Sequence, residues 1–168
     1  MPKTSAYHPT FLFNRARDFF WGAEELFKSP DRKTQLDRWY PTYFLYAHAA
    51  EMALKAYCRS QSPDVEYGHE LIILYDRCQQ LGFAVGGSED IQIRDLLQKL
   101  DDANQDQGLR YFMDVKIMWD LAWTRRVVGH LIEVIAPHVE RAEQDHPSGT
   151  GKVTGLMIVL GKTPRQES

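Results

Sequence analysis

Apolar residues recur at helical spacing along most of the chain, and this pattern predicts five helices. The predicted helices span residues 10–28, about 41–59, 69–81, 88–100 and about 114–145. A charged linker, residues 31–38, separates the first two helices, and Gly82 supplies a stop for the third. No stretch before residue 147 alternates apolar and polar positions for long. The sequence therefore predicts an all-α fold, an up-and-down antiparallel bundle of four long helices plus one short helix.

The C-terminal segment, residues 147–168, has a different composition from the rest of the chain. It joins a polar stretch rich in glycine, serine and threonine to a short apolar run between Gly155 and Gly161. We expect this tail to be irregular or to form a short strand, which needs a packing or pairing partner in water. The predicted division is a helical bundle over residues 1–146, followed by a linker and tail over residues 147–168.

Composition and charge narrow the functional classes. The chain has 168 residues, a size typical of one domain with its own core. Its net charge of −3 gives no general attraction for nucleic acid, so an RNA contact would need a local basic patch. No apolar run approaches the roughly 20 residues that a membrane helix needs. The two cysteines lack metal-ligand spacing and suit a reducing compartment, so we expect a cytoplasmic protein without metal, cofactor or membrane contact.

Two charged residues interrupt the apolar second helix. Glu51 and Lys55 form an i,i+4 acid–base pair there, and charges in such surroundings are costly unless they are paired. His69 opens the next predicted helix and Arg110 precedes the last one, so both can approach this pair. One interpretation is a structural network between helix ends. The alternative is an anion or nucleotide pocket, in which Lys55 and Arg110 contact phosphate and Tyr111 or Trp119 stacks on a base.

Three segments together carry a family resemblance. They are AHAAEMALKAYC (47–58), GHEL (68–71) and LRY (109–111), in this order within five predicted helices. This arrangement resembles the HEPN family, named for nucleotide binding in higher eukaryotes and prokaryotes, over about residues 10–145. The resemblance implies a helical bundle that usually forms a homodimer. It also implies frequent pairing with a minimal nucleotidyltransferase in a toxin–antitoxin module.

The resemblance further implies a candidate catalytic pair. Some HEPN proteins are metal-independent ribonucleases with an Arg-x(4–6)-His motif on the last helix, where Arg orients phosphate and His transfers protons. Arg125 and His130 have this spacing, and so do Arg141 and His146. The family motif lies near the start of its helix and has a polar residue, often Asn, after the arginine. Here Arg126 follows, and the predicted helix places the pair about three turns in.

These observations leave three functional hypotheses open. The first is a dimeric binding module for a nucleotide, RNA or a nucleotidyltransferase partner, with Glu51, Lys55 and His69 in its ligand site. The second is a metal-independent ribonuclease toxin that uses Arg125 and His130. The third is a purely structural dimeric interaction module.

Overall fold

The computed structural model describes residues 8–28, 35–62, 68–104 and 119–147, with the backbone alone for 35–39. The helices in these ranges are α1 (Pro9–Lys28), α2 (Gln35–Gln61), α3 (Leu71–Gln80), α4 (Gly87–Asn104) and α5 (Leu121–Asp145). No strand occurs in these ranges, and the predicted all-α class is confirmed. The antiparallel path and the domain division at residue 146 stay predictions. The tail after Pro147 lies outside the described residues.

Three helix boundaries differ from the sequence prediction by more than two residues. α2 begins at Gln35, inside the predicted charged linker, so that Pro41 lies within the helix. α4 continues to Asn104 instead of ending near residue 100. α5 begins at Leu121 instead of near residue 114. Its N-cap is Asp120, whose carboxylate accepts a hydrogen bond from the backbone N–H of Ala122 at 2.9 Å.

α2 is the central helix and packs against each of the other four. Small side chains line much of its buried surface, at Ala47, Ala49, Ala50, Ala53 and Ala56. Buried tyrosines fill the larger spaces, and each places its hydroxyl on an acceptor. The Tyr43 hydroxyl donates to the carbonyl of Trp119 at 2.7 Å, and the Tyr46 hydroxyl donates to Glu24 at 2.8 Å. On α3 the buried Tyr75 likewise donates to Asp90, at 2.6 Å. Two buried tyrosine hydroxyls, those of Tyr46 and Tyr75, are therefore paired with carboxylates.

Gly129 lies where α5 meets α1. A Cβ added at this position would lie 3.3 Å from Cζ of Phe20, so the missing side chain lets the Phe20 ring approach the α5 backbone. Glu24 follows Phe20 by one helical turn, and Arg125 precedes Gly129 by one turn. The close approach of the two helices therefore brings Glu24 and Arg125 together.

α3 is held at both ends. The carboxylate of Asp101, on α4, accepts hydrogen bonds from the backbone N–H groups of Leu71 and Ile72, each at 2.8 Å. This contact satisfies two of the free N–H groups at the start of α3. At the other end Gly82 has a φ of 94°, a left-handed conformation that glycine adopts easily, and it ends the helix where the sequence predicts.

Two further properties bear on the sequence expectations. None of the helices described combines the length and the apolar character that crossing a membrane requires. Cys58 and Cys78 are both free and buried, with their Sγ atoms 3.3 Å apart between α2 and α3.

Candidate functional site

A cleft of about 580 Å³ lies between α4 and the N-terminal half of α5. Its polar lining consists of Glu89, Gln92, Arg125, Arg126, His130 and Glu133. Glu89 belongs to the first turn of α4, while both arginines and the histidine project from α5. The structure therefore places both members of the predicted Arg–His pair on one concave surface.

Arg125 is the fifth residue of α5. The expectation that the pair lies about three turns into the last helix is therefore wrong, because the Asp120 cap starts the helix at Leu121. The arginine instead lies in the second turn, near a helix N-terminus whose dipole favours anions. In this respect the chain follows the family motif, while Arg126 remains a departure from it.

The Arg125 guanidinium is anchored by a buried carboxylate. Its Nε donates to Oε1 of Glu24 at 2.7 Å, and the same oxygen accepts the Tyr46 hydroxyl at 2.8 Å. Nζ of Lys28 lies 3.6 Å from the other carboxylate oxygen. Glu24 is only 6% exposed. The Phe27 ring completes the surroundings, with the guanidinium carbon 5.5 Å from its centroid.

Glu24 and the side chains around it shift one another's pKa values. Burial alone would raise the pKa of the Glu24 carboxyl, but the hydrogen bonds from Arg125 and Tyr46 and the charges of Arg125 and Lys28 outweigh it and lower that pKa. The hydrogen bond to Glu24 raises the pKa of Arg125. Burial, with the Glu24 contact, raises the pKa of the Tyr46 hydroxyl. Glu24 and Arg125 are therefore both charged at neutral pH.

His130 faces α4 across the cleft. Its Nε2 lies 3.3 Å from Oε2 of Glu89, and about a third of the His130 side chain is exposed. This nitrogen is shielded from solvent and makes no directed hydrogen bond to any described residue. The contact with Glu89 is therefore electrostatic, and it becomes an ion pair when the imidazole is protonated.

The structure also brings together three of the five residues predicted to form a ligand pocket. Nζ of Lys55 donates to Oε1 of Glu51 at 2.6 Å, and Nδ1 of His69 lies 2.8 Å from the same oxygen. Glu51 is buried, whereas the His69 side chain is 85% exposed. Lys55 and Glu51 neutralise each other, which favours the structural interpretation of this network. Arg110 and Tyr111 lie outside the described residues, so their ligand-binding roles stay predictions.

The second Arg–His spacing lies at the far end of α5. Arg141 is close to the end of the helix and His146 is its C-cap. Among the residues that the structure describes, no cluster of three or more histidine, cysteine or acidic side chains has the geometry of a metal site.

Sequence reasoning missed the two carboxylates that contact the Arg–His pair, Glu24 at Arg125 and Glu89 at His130. A signal for Glu24 was present, because it follows Phe20 by four positions and therefore shares the buried stripe of α1. A carboxylate in such a stripe needs a charged or hydrogen-bonding partner. Glu89 carried no such signal, since its approach to His130 depends on how α4 packs against α5.

The fold and the cleft define an all-helical domain with an Arg–His pair near the start of its last helix. A family model described as the HEPN domain matches residues 10–136. The chain belongs to the HEPN domain family, and the resemblance drawn from the sequence is confirmed. Comparisons with curated proteins and with solved structures gave no match. Family membership supports a nucleotide- or RNA-related role for the domain.

Proposed function

We propose that the protein is a HEPN ribonuclease that binds RNA in the cleft and cleaves it with Arg125 and His130. The observation that carries this proposal is that both side chains line one cleft, with the arginine anchored near the start of α5. A guanidinium with free terminal nitrogens can bind two phosphate oxygens at once. An imidazole can take up and release a proton near neutral pH.

The proposed reaction is an internal transesterification. The ribose 2′-oxygen attacks the neighbouring phosphorus while the bond from phosphorus to the 5′-oxygen breaks. The 2′-hydroxyl loses its proton as its oxygen attacks, and the departing 5′-oxygen gains one. His130 carries one of these two transfers and water carries the other. Because Glu89 faces Nε2, we assign the His130 step to Nδ1. Arg125 stabilises the negative charge that builds up on the phosphoryl oxygens. The products are a 2′,3′-cyclic phosphate and a 5′-hydroxyl, so no second substrate is consumed.

The test compares His130→Ala with His146→Ala, the matched change in the other Arg–His spacing. Purified protein is incubated with single-stranded RNA in the presence of EDTA, and the product ends are identified by mass spectrometry. His130→Ala should lower cleavage by roughly 10²- to 10⁴-fold, the usual loss with a general acid–base. His146→Ala should cleave like the wild type. Undiminished cleavage by folded His130→Ala, checked by circular dichroism, would contradict the proposal.

A binding module without catalysis is the second candidate function. Arg126 favours it, because the family often has Asn at this position. The shielding of Nε2 of His130 from solvent favours it as well. In this case RNA, a nucleotide or a nucleotidyltransferase partner would bind without being changed. The network of Glu51, Lys55 and His69 would be a second place for a nucleotide. RNA retained by the wild type without cleavage would support this candidate against the ribonuclease.

We also propose the assembly and setting that the family implies. The protein would act as a homodimer in the cytoplasm, paired with a minimal nucleotidyltransferase as a toxin–antitoxin module. The free thiols of Cys58 and Cys78 support a reducing compartment. Light scattering would measure the mass in solution, and a monomer would contradict the dimer. Growth arrest on expression, relieved by His130→Ala, would support the toxin role.

A further inference from the structure

We propose that Glu24 is the positioning residue of the cleft. It fixes the Arg125 guanidinium through Nε, so that the two terminal nitrogens stay available for an RNA phosphate. This inference rests on the proposed function and deepens it, because it names the group that prepares the arginine for its substrate. Glu24 does not touch the RNA and acts only through Arg125.

The geometry of the carboxylate carries the first step. Oε1 of Glu24 accepts one hydrogen bond from Arg125 on α5 and one from Tyr46 on α2, at 2.7 and 2.8 Å. Lys28, one turn further along α1, lies 3.6 Å from Oε2. With partners on α5, on α2 and on its own helix, and with only 6% exposure, the Glu24 carboxylate is closely confined. A side chain that is hydrogen-bonded to this carboxylate is therefore held in place as well.

The chemistry of arginine carries the second step. A guanidinium has five N–H donors in one plane, one on Nε and four on the terminal nitrogens. A partner on Nε therefore sets the direction of that plane and leaves the terminal groups unused by this contact. The Arg125 side chain is still 32% exposed and lines the cleft. The guanidinium is thus anchored through Nε, while its terminal nitrogens stay available to the cleft.

A positioning role and a merely electrostatic one predict opposite outcomes. The negative charge of Glu24 opposes an approaching phosphate, so its removal alone should strengthen RNA binding. If the carboxylate instead orders the guanidinium before RNA binds, removal of the carboxylate should weaken binding. The free energy of ordering the flexible Arg125 side chain is then subtracted from the free energy of binding. The sign of the change in affinity therefore separates the two roles.

The test uses Glu24→Gln, with Glu25→Gln as a control that makes the same charge change at the exposed neighbouring position. Affinity is measured with an RNA oligonucleotide carrying 2′-deoxyribose at the scissile position, which cannot be cleaved. Glu24→Gln should weaken binding by about tenfold, a change of 1.4 kcal/mol. Glu25→Gln should bind like the wild type. Tyr46→Phe keeps the carboxylate, folds with one hydrogen bond fewer and should weaken binding by a smaller factor.

Two further readouts follow the guanidinium itself. In the wild type the Arg125 Nε–H should give a resolved, slowly exchanging NMR signal, and Glu24→Gln should remove it. In Arg125→Ala, added guanidinium chloride at millimolar concentration should restore cleavage, because Glu24 still holds the ion in place. The same addition should fail in Arg125→Ala combined with Glu24→Gln. If Glu24 only supported the fold, added guanidinium would not restore cleavage in Arg125→Ala.

The outcomes distinguish this inference from the proposed function. If the wild type binds RNA without cleaving it, and Glu24→Gln weakens that binding, the ribonuclease proposal falls while Glu24 keeps its positioning role. If the wild type cleaves, but Glu24→Gln has unchanged affinity and an unchanged Arg125 Nε–H signal, the inference alone is overturned. An increase in affinity in Glu24→Gln would overturn it as well.

Discussion

Glu24 carries its charge inside the bundle, and this makes the stability of the protein depend on pH. Its pKa in the folded protein lies below the ordinary value of 4.5, because the donors around it outweigh the effect of burial. The unfolded chain therefore binds this proton more readily, and stability rises with pH in this range. The contribution is complete above the ordinary pKa and disappears as the pH falls through the lower, folded-state value.

The corresponding prediction concerns the melting temperatures of wild type and Glu24→Gln. The wild type should be the more stable near neutral pH, and its advantage should shrink as the pH is lowered from about 6 towards about 3. Differential scanning calorimetry at several pH values measures this difference. Glu25→Gln is again the matched control and should follow the wild-type curve. A constant difference between wild type and Glu24→Gln would show that the carboxylate does not carry the effect.

At the scale of single elements, α3 depends on a neighbouring helix for its N-terminal contacts. Glu70 is its N-cap residue, but the Glu70 side chain makes no capping hydrogen bond. Asp101 on α4 supplies both acceptors instead. The short helix is therefore fixed in place by a contact that spans two elements.

We predict that Asp101→Ala lowers the free energy of unfolding by about 1–2 kcal/mol, the usual cost of losing a helix N-terminal cap. Asp102→Ala, at the exposed next position, should cost less than about 0.5 kcal/mol. Urea denaturation followed by circular dichroism gives both values. Equal losses in the two variants would mean that the hydrogen bonds to Leu71 and Ile72 add nothing measurable.

The elements also show what the sequence could and could not predict. Helices α1 and α3 were placed to within two residues, because their apolar stripes and flanking breakers lie in the local sequence. The start of α2 was missed, since a run of charged residues reads as a linker when its helical neighbours are unknown. The start of α5 was missed because apolar residues continue the helical pattern ahead of Asp120, whose capping side chain competes with it.

The candidate site, too, could be predicted from the sequence only in part. Spacing alone identified Arg125 and His130 as a pair, but their common cleft depends on packing between helices. The contact from Arg125 to Glu24 joins residues 101 positions apart, and a separation of that size leaves no pattern in one sequence. The wrong start of the last helix also misplaced the pair by more than a turn. Because the Asp120 cap was missed, the pair seemed to lie too far into its helix for the family motif.

At the scale of the whole molecule, the net charge of −3 opposes RNA in general. Binding must therefore rely on the local pair Arg125 and Arg126, and its salt dependence should be weak. For single-stranded RNA, two phosphate contacts predict a slope of about −1.4 in a plot of log K against log salt concentration.

The salt dependence gives a prediction for Arg126, measured by fluorescence anisotropy with a labelled oligonucleotide. Arg126→Gln should reduce the magnitude of the slope by about 0.7, as expected when one phosphate contact is lost. Arg15→Gln, an exposed change on α1, should leave the slope unaltered. If both arginine variants changed the slope equally, the RNA would follow a surface broader than the cleft.

The contact between Gly129 and Phe20 has a consequence for how this sequence can diverge. A methyl group added at position 129 would lie 3.3 Å from Cζ of Phe20, so the ring would have to shift by a few tenths of an ångström. Because Glu24 and Arg125 lie one turn from this contact, a ring that could shift only together with α1 would lengthen their hydrogen bond without altering either residue. Relatives that keep the anchored arginine should therefore change the two positions together, with a larger residue at 129 accompanied by a smaller one at 20.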